Sequence, residues 1–212
     1  MMKNRSFTLF ITLLSIGFSM LGYLYLPERV PVHWDFNGTI DRYGSKLESV
    51  IIFPSIIIAA YVLLILLPII DPRKNNYNQF KDSYIIIINS ILTILLFIHA
   101  ITLVAGLGIN VRMEMVVPVL IGVLFIIIGN YMPRISSNYF IGIRTPWALQ
   151  DETVWKDTQH LGAKMFVIAG IIFILAAFVP GAFKVYLLSS AIFLCVIVPY
   201  IWSYFLYKKL HP

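Results

Sequence analysis

His33, Asp35 and Asp41 lie close together in one polar segment of an otherwise apolar chain. A histidine and two carboxylates could ligate a metal, but the set is small and follows no recognised ligand spacing. Turn-capping carboxylates beside an interfacial histidine account for them better, and no metal site is expected. Arg144, Asp151, Asp157 and His160 form a second ionisable group. No Gly-x-Ser-x-Gly elbow and no His-Glu-x-x-His motif accompanies it. Ion pairing and lipid-headgroup contact are its expected roles, and no residue is assigned as catalytic. His99 stands alone inside an apolar run, sharing a helical face with Thr102 and Gly106. Pumps and ion-coupled transporters need ionisable groups at membrane depth. One histidine without a charged partner reads instead as part of a polar stripe that hydrogen-bonds a neighbouring helix. Cys195 is the single cysteine, which excludes a disulfide or a cysteine metal site within the chain. No cofactor is expected.

The elements that must position these residues are set by composition. Of 212 residues, 59% are hydrophobic and only 12% charged, with a mean hydropathy of +0.86. Soluble domains carry about 25% charged residues, and a bilayer hides this much apolar surface where a soluble core of this size does not. A spanning helix needs about 20 apolar residues. Six stretches qualify: roughly 7–26, 50–70, 84–106, 115–132, 163–182 and 185–207. Five contain no Asp, Glu, Lys or Arg, and the fifth holds only Lys164, near its end. The fourth is the shortest and contains Pro118. Lys3 and Arg5 precede the first stretch, but it is long for a signal peptide and offers no small-residue cleavage site. The expected architecture is therefore all-α: one membrane domain over 1–212, a six-helix bundle with one structured loop on each side.

Orientation follows from the basic residues. With the N-terminus inside, the inner segments hold Lys3, Arg5, Arg73, Lys74, Lys81, Arg134, Arg144, Lys156, Lys164, Lys208 and Lys209. The outer segments hold Arg29, Arg42, Lys46, Arg112 and Lys184. Short loops obey the positive-inside rule, so both termini are expected in the cytoplasm. The acidic residues divide evenly, so the net charge of +6 faces inward. That charge is a topology signal with some attraction for anionic lipid, not a nucleic-acid signal.

Two loops are too elaborate for connectors. In the external loop, 27–49, Pro27 and Pro31 stiffen the start and Asn37-Gly38 signals a turn. Val32–Phe36 and Thr39–Tyr43 are expected to pair as a small hairpin, with Trp34, Phe36 and Tyr43 suited to the headgroup layer. In the cytoplasmic loop, 133–162, Thr145 followed by Pro146 is a helix start, an N-cap hydroxyl then proline in the first turn. A helix over 146–161 is expected along the inner membrane surface. It would carry Trp147, Val154 and Leu161 on one stripe and Glu152, Lys156 and Gln159 on the other.

The external Leu26-Pro-x-x-Val-Pro-x-His-Trp-Asp-x-x-Gly-x-x-Asp41 resembles a motif of SdpI-family membrane proteins. The cytoplasmic Asn138-Tyr-x-Ile-Gly-Ile-Arg-Thr-Pro-Trp147, with Trp155 and His160 beyond it, resembles the family's second hallmark. Asp35 stands where asparagine is common, and Ala148 where threonine is common. The resemblance covers nearly the whole chain. It implies a multi-pass immunity protein of the bacterial cytoplasmic membrane that protects against a secreted, membrane-active peptide toxin. It also implies a signalling role, in which toxin-bound protein holds a transcriptional repressor at the membrane. His33, Trp34, Asp35, Gly38 and Asp41 are then the candidate ligand loop. Asn138, Gly142, Arg144, Thr145, Pro146, Trp147, Trp155 and His160 are the candidate partner-binding or structural loop, with Arg144, Trp147, Trp155 and Lys156 as its exposed members. A membrane-embedded enzyme or small-molecule transporter using the polar loops is the alternative, and a purely structural membrane partner a third. Membrane lipids are expected partners in every case; the sequence does not set the oligomeric state.

Overall fold

The computed structural model describes residues 5–212. Lys3, counted above on the inner side, lies outside them. Seven helices and one hairpin follow in order: α1 Arg5–Tyr25, β1 Arg29–Trp34, β2 Ile40–Ser45, α2 Lys46–Ile70, α3 Tyr77–Gly106, α4 Met113–Tyr131, α5 Pro146–Gln150, α6 Glu152–Ala176 and α7 Ala182–Leu210. Six of these helices are long and apolar enough to cross a membrane. Their outward faces make the same point. Leu24 is 70% exposed, Ile69 62% and Phe205 62%, a surface that only lipid stabilises. The protein is a multi-pass, all-α membrane protein.

Packing between the helices uses small residues. Gly122 of α4 and Gly170 of α6 face each other so closely that a Cβ on either would lie 2.6 Å from the other's carbonyl oxygen. Bilayer helices gain contact this way, because lipid supplies no hydrophobic drive between them. Phe125 of α4 fills the space beside this contact against Phe166 and Phe173 of α6. Ala169, Ala176, Leu188, Ala191 and Cys195 continue the packing from α6 into α7. Pro54 and Pro68 in α2, Pro118 in α4 and Pro199 in α7 all sit inside helices. Pro118 therefore does not shorten the fourth span.

The expected polar stripe is present. His99 is fully buried, its Nε2 lies 3.3 Å from Ser19 Oγ of α1, and its ring stacks on Phe53 of α2 at 5.5 Å. Thr8 Oγ1 of α1 donates to Asn89 Oδ1 of α3 at 2.8 Å.

The third span starts at Tyr77 rather than 84, and the boundaries around α5 and α6 also differ from expectation. The surface helix over 146–161 does not form. The chain breaks at Asp151, whose extended φ/ψ of −134°/126° ends α5 and caps α6. Its Oδ1 accepts from Thr153 N at 2.7 Å and Val154 N at 2.9 Å. The last part of the predicted cytoplasmic loop, 152–162, thus belongs to the fifth span. That span ends at Ala176, not 182. A carboxylate N-cap is strong enough to restart a helix at once, and the amphipathic stripe concealed the break.

Candidate functional site

The bundle carries polar structure at both ends. At the hairpin end, β1 and β2 pair antiparallel, with a register irregularity around His33. The expected hairpin forms, displaced outward so that residues 35–39 make the turn. Asp35 organises that turn: its Oδ1 accepts from Asn37 N at 2.9 Å and Thr39 N at 2.8 Å, and Gly38, at φ +83°, closes it. His33 Nδ1 lies 2.6 Å from Asp41 Oδ1 across the strands, both side chains well exposed. A side-chain pair this exposed contributes little stability. Trp34 is half-buried, while Phe36 and Tyr43 are exposed.

The hairpin is nevertheless fixed to the bundle. Val30 is fully buried with Leu26, Val50 and Leu103. Ser45 caps α2 by accepting from Glu48 N at 3.1 Å. Lys184, at the start of α7, is buried and donates from Nζ to Phe36 O at 3.3 Å and Glu114 O at 3.2 Å. The two carbonyls join the hairpin tip to α4 and α7. Sequence reading missed this role. The signal was a lone lysine in the two-residue gap, 183–184, between two apolar spans, where an unpartnered charge is costly.

At the loop end, residues 135–145 fold over the bundle with Ser137, Asn138 and Thr145 turned inward. Asn138 is fully buried. Its Oδ1 accepts from Phe140 N at 2.9 Å and Ile141 N at 2.7 Å, and its Nδ2 donates to Ser136 O at 2.9 Å and Ile141 O at 3.0 Å. Thr145 is buried, caps α5 by accepting from Ala148 N at 3.0 Å, and hydrogen-bonds Ser203 of α7. Pro146 takes the first helical position, as expected. Trp155 is 1% exposed and donates from Nε1 to Ile135 O at 2.8 Å. It is therefore not the exposed member expected: the break at Asp151 turned its face of the helix inward. Gln159, expected on a polar face, is fully buried as well. It accepts from Ile143 N at 3.0 Å and donates to Ile143 O at 2.9 Å, as a neighbouring strand would. Gly142, at φ +97°, lies against it; a Cβ there would come within 2.7 Å of Gln159 Oε1. Only glycine adopts that backbone cheaply.

A second layer comes from the short α2–α3 connection. Asp71 is 2% exposed. Its carboxylate accepts from Arg73 N at 2.7 Å, Tyr77 Oη at 3.0 Å and Tyr139 N at 3.0 Å. Arg73 donates to Ser137 Oγ and, at 2.7 Å, to Leu149 O, while its guanidinium covers the Tyr139 ring. Asn76 Nδ2 donates to Ser137 O at 2.8 Å. Sequence reading counted Asp71 and Arg73 only as loop charges. Asp71-Pro72-Arg73 at a span end was the available signal, a turn that leaves the carboxylate beside the helix terminus.

Arg144 is exposed and donates to Tyr139 O at 2.7 Å. Lys156 and His160 are exposed on α6, and Trp147 packs edge-on against Tyr200 and Tyr204 of α7. Asp151 also lies 3.6 Å from His211. The Val154 and Thr153 amides, with some help from His211, hold its carboxyl below the usual carboxylate range. Among the described residues, no group of three or more His, Cys, Asp or Glu side chains is placed to hold a metal ion.

Six lipid-facing helices, a surface hairpin at one end and an inward-bonded loop at the other define a multi-pass integral membrane protein with two specialised poles. The model of the SdpI/YfhL protein family matches residues 134–206. That of a domain of unknown function, DUF1648, matches residues 10–58. The first match takes in most of the loop, α5, α6 and most of α7; the second takes in α1, the hairpin and the start of α2. Over 210 residues, 99% of each chain, the sequence is 31% identical to the immunity protein SdpI of Bacillus subtilis (strain 168). It is 38% identical over 64 residues to an uncharacterized protein of Archaeoglobus fulgidus, covering 30% of this chain and 34% of that one. No solved structure matches it. The chain belongs to the SdpI family.

Proposed function

We propose that the chain is an immunity protein of the bacterial cytoplasmic membrane, giving resistance to a secreted, membrane-active peptide by binding it without turnover. The observation that carries this reading is identity to an immunity protein along 99% of both chains. The hairpin is the receiving surface: His33, Asp41, Phe36 and Tyr43 are exposed there beside Trp34, on a frame fixed by Val30 and Lys184. A rigid aromatic and ionic patch at the headgroup layer suits an amphipathic peptide. Both termini are cytoplasmic in this reading, which puts the hairpin outside. Single cysteines at Asn37 and Gln150, in a chain with Cys195 replaced by Ala, then label from opposite sides, Asn37 from outside. Labelling of both from one side overturns the orientation.

The inner pole has a finer role: exposed Arg144, Lys156 and His160, beside exposed Glu152 and Asp157, offer a transcriptional repressor a polar surface of mixed charge, coupled to the hairpin through a two-state bundle. No direct contact with nucleic acid is involved. Arg144→Lys keeps the charge and loses the planar fork. Loss of recruitment with protection intact marks a dock. Equal loss of recruitment, protection and abundance marks a structural pin. The competing reading is a membrane-embedded enzyme or small-molecule transporter using the polar loops; its transport form draws also on His99, whose Nδ1 has no partner among the described residues.

The deciding experiment is expression in a sensitive bacterium challenged with a panel of membrane-active peptides. Protection against at least one peptide, lost in Trp34→Ala, supports the reading. Protection unaffected by both Trp34→Ala and His33→Ala but lost in His99→Leu favours the competing one.

A further inference from the structure

A cleft of about 300 Å³ lies between α1, α2 and α3 at the loop end. Its walls are mostly apolar, with Leu64 and Ile65 of α2 facing Ile85 and Ile88 of α3. Its rim is cationic. Lys74 and Lys81 both line it, with Asn78 between them. Lys81, Ile85 and Ile88 follow helical spacing on α3, while Lys74 and Asn78 reach the cleft from before a kink at Phe80 (φ −127°, ψ 21°), so a basic rim gives way to apolar walls. Ile69 also borders the cleft and is 62% exposed on a spanning helix, so the opening faces lipid.

The two lysines differ from three cations that the fold engages. Arg73 is bonded to the loop, Lys46 pairs with Glu28, and Lys184 is capped by two carbonyls. Lys74 and Lys81 are exposed, and neither ammonium has a hydrogen bond or ion pair among the described residues. The neighbouring buried acid, Asp71, turns its carboxylate to Arg73 N, Tyr77 and Tyr139 instead. Asp82 is exposed and is not among the residues lining the cleft.

We propose that this cleft binds an acidic phospholipid. One acyl chain lies between α2 and α3, and the phosphate rests on Lys74 and Lys81 with the Asn78 amide as a further donor. The volume is at the lower end of small-ligand pockets, enough for part of one chain. Basic clefts between membrane helices attract anionic headgroups, at about 1 kcal/mol per lysine near the surface. The site needs only a bilayer-spanning chain and is independent of the immunity reading.

The test is native mass spectrometry of the full chain in mild detergent with equimolar phosphatidylglycerol and phosphatidylcholine. Retention of phosphatidylglycerol over phosphatidylcholine by roughly tenfold is expected, since two lysines at that strength exceed one decade of affinity. Lys74→Gln with Lys81→Gln should bring the ratio near one without lowering phosphatidylcholine retention. Ile65→Trp, which fills the cleft and keeps both lysines, should lower retention of both lipids. Thermal scans without added lipid check that each variant is folded. Equal retention of the two lipids by the unaltered chain overturns the proposal, as does a tenfold preference that survives in the folded double variant. Displacement of the lipid by glycerol phosphate at equal concentration also overturns it, because the site then recognises phosphate alone.

Discussion

At the hairpin end, polar side chains bond close sequence neighbours and remain exposed. Asp35 reaches residues two and four positions away, His33 reaches Asp41, and Ser45 reaches Glu48. At the loop end, several bonds cross long stretches of chain and are partly or fully buried: Arg73 to Leu149, Asp71 to Tyr139, Asn76 to Ser137, Thr145 to Ser203. Local exposed bonds set a shape at low energy and leave the surface available. Long-range buried bonds hold helices together, and losing one partner exposes the full desolvation cost of the other. The hairpin is thus a surface carried by the bundle, whereas the loop is part of what closes the bundle. Lys184 is the exception at the hairpin end, reaching Phe36 across 148 residues. It fixes the position of the tip while leaving its shape to Asp35.

Substitutions can test this contrast, beginning with the largest effect. Trp155→Ala removes a fully packed indole and leaves Ile135 O unpartnered. It should cost about 3–5 kcal/mol and greatly lower abundance, read by membrane immunoblot and thermal denaturation in detergent. Next is a matched pair of carboxylates. Asp71→Ala leaves two partly buried N–H groups without their acceptor and the Tyr77 hydroxyl with only the longer contact to Asn138 Oδ1 at 3.5 Å, a loss of about 3 kcal/mol. Asp35→Ala frees two amides to water, and its effect on thermal stability should be below about 1 kcal/mol. Equal losses in the two variants would remove the distinction between the poles. Arg144→Lys forfeits one exposed guanidinium bond to Tyr139 O, so a fall of about 0.5–1 kcal/mol is expected in the same thermal assay.

The smallest effect concerns acidity at α6. The Asp151 carboxyl is held below its ordinary range mainly by the Val154 amide, so its contribution is present above the unfolded-state value. That contribution fades as pH falls through the lower, folded value. Unfolding temperatures measured from pH 6 down to pH 3 should therefore decline slightly more steeply for the unaltered chain than for Asp151→Asn. The amide still caps the helix but carries no charge to lose.

Much of this was legible in the sequence, for identifiable reasons. Long apolar runs gave the six spans because a bilayer demands them. Asn37-Gly38 and Thr145-Pro146 marked the turn and the cap because each has a local backbone requirement. The break at Asp151 was hidden because Val154 and Leu161 continue a helical stripe on either reading. The inward roles of Trp155, Gln159, Asp71 and Lys184 were hidden for a different reason. Each depends on a partner at least 16 residues away, which spacing within one segment does not reveal. Asn138 and Thr145 read equally well as partner-facing or structural, and only their burial separates the two.

The central claim is that the hairpin recognises and the loop supports. It is tested most directly by measuring peptide protection and membrane abundance together, in the same cells, for His33→Ala with Trp34→Ala and for Asp71→Ala. The hairpin double variant should lose protection at unchanged abundance, and Asp71→Ala should lose both in proportion. Full protection by the hairpin variant, or loss of protection by Asp71→Ala at undiminished abundance, would contradict the account.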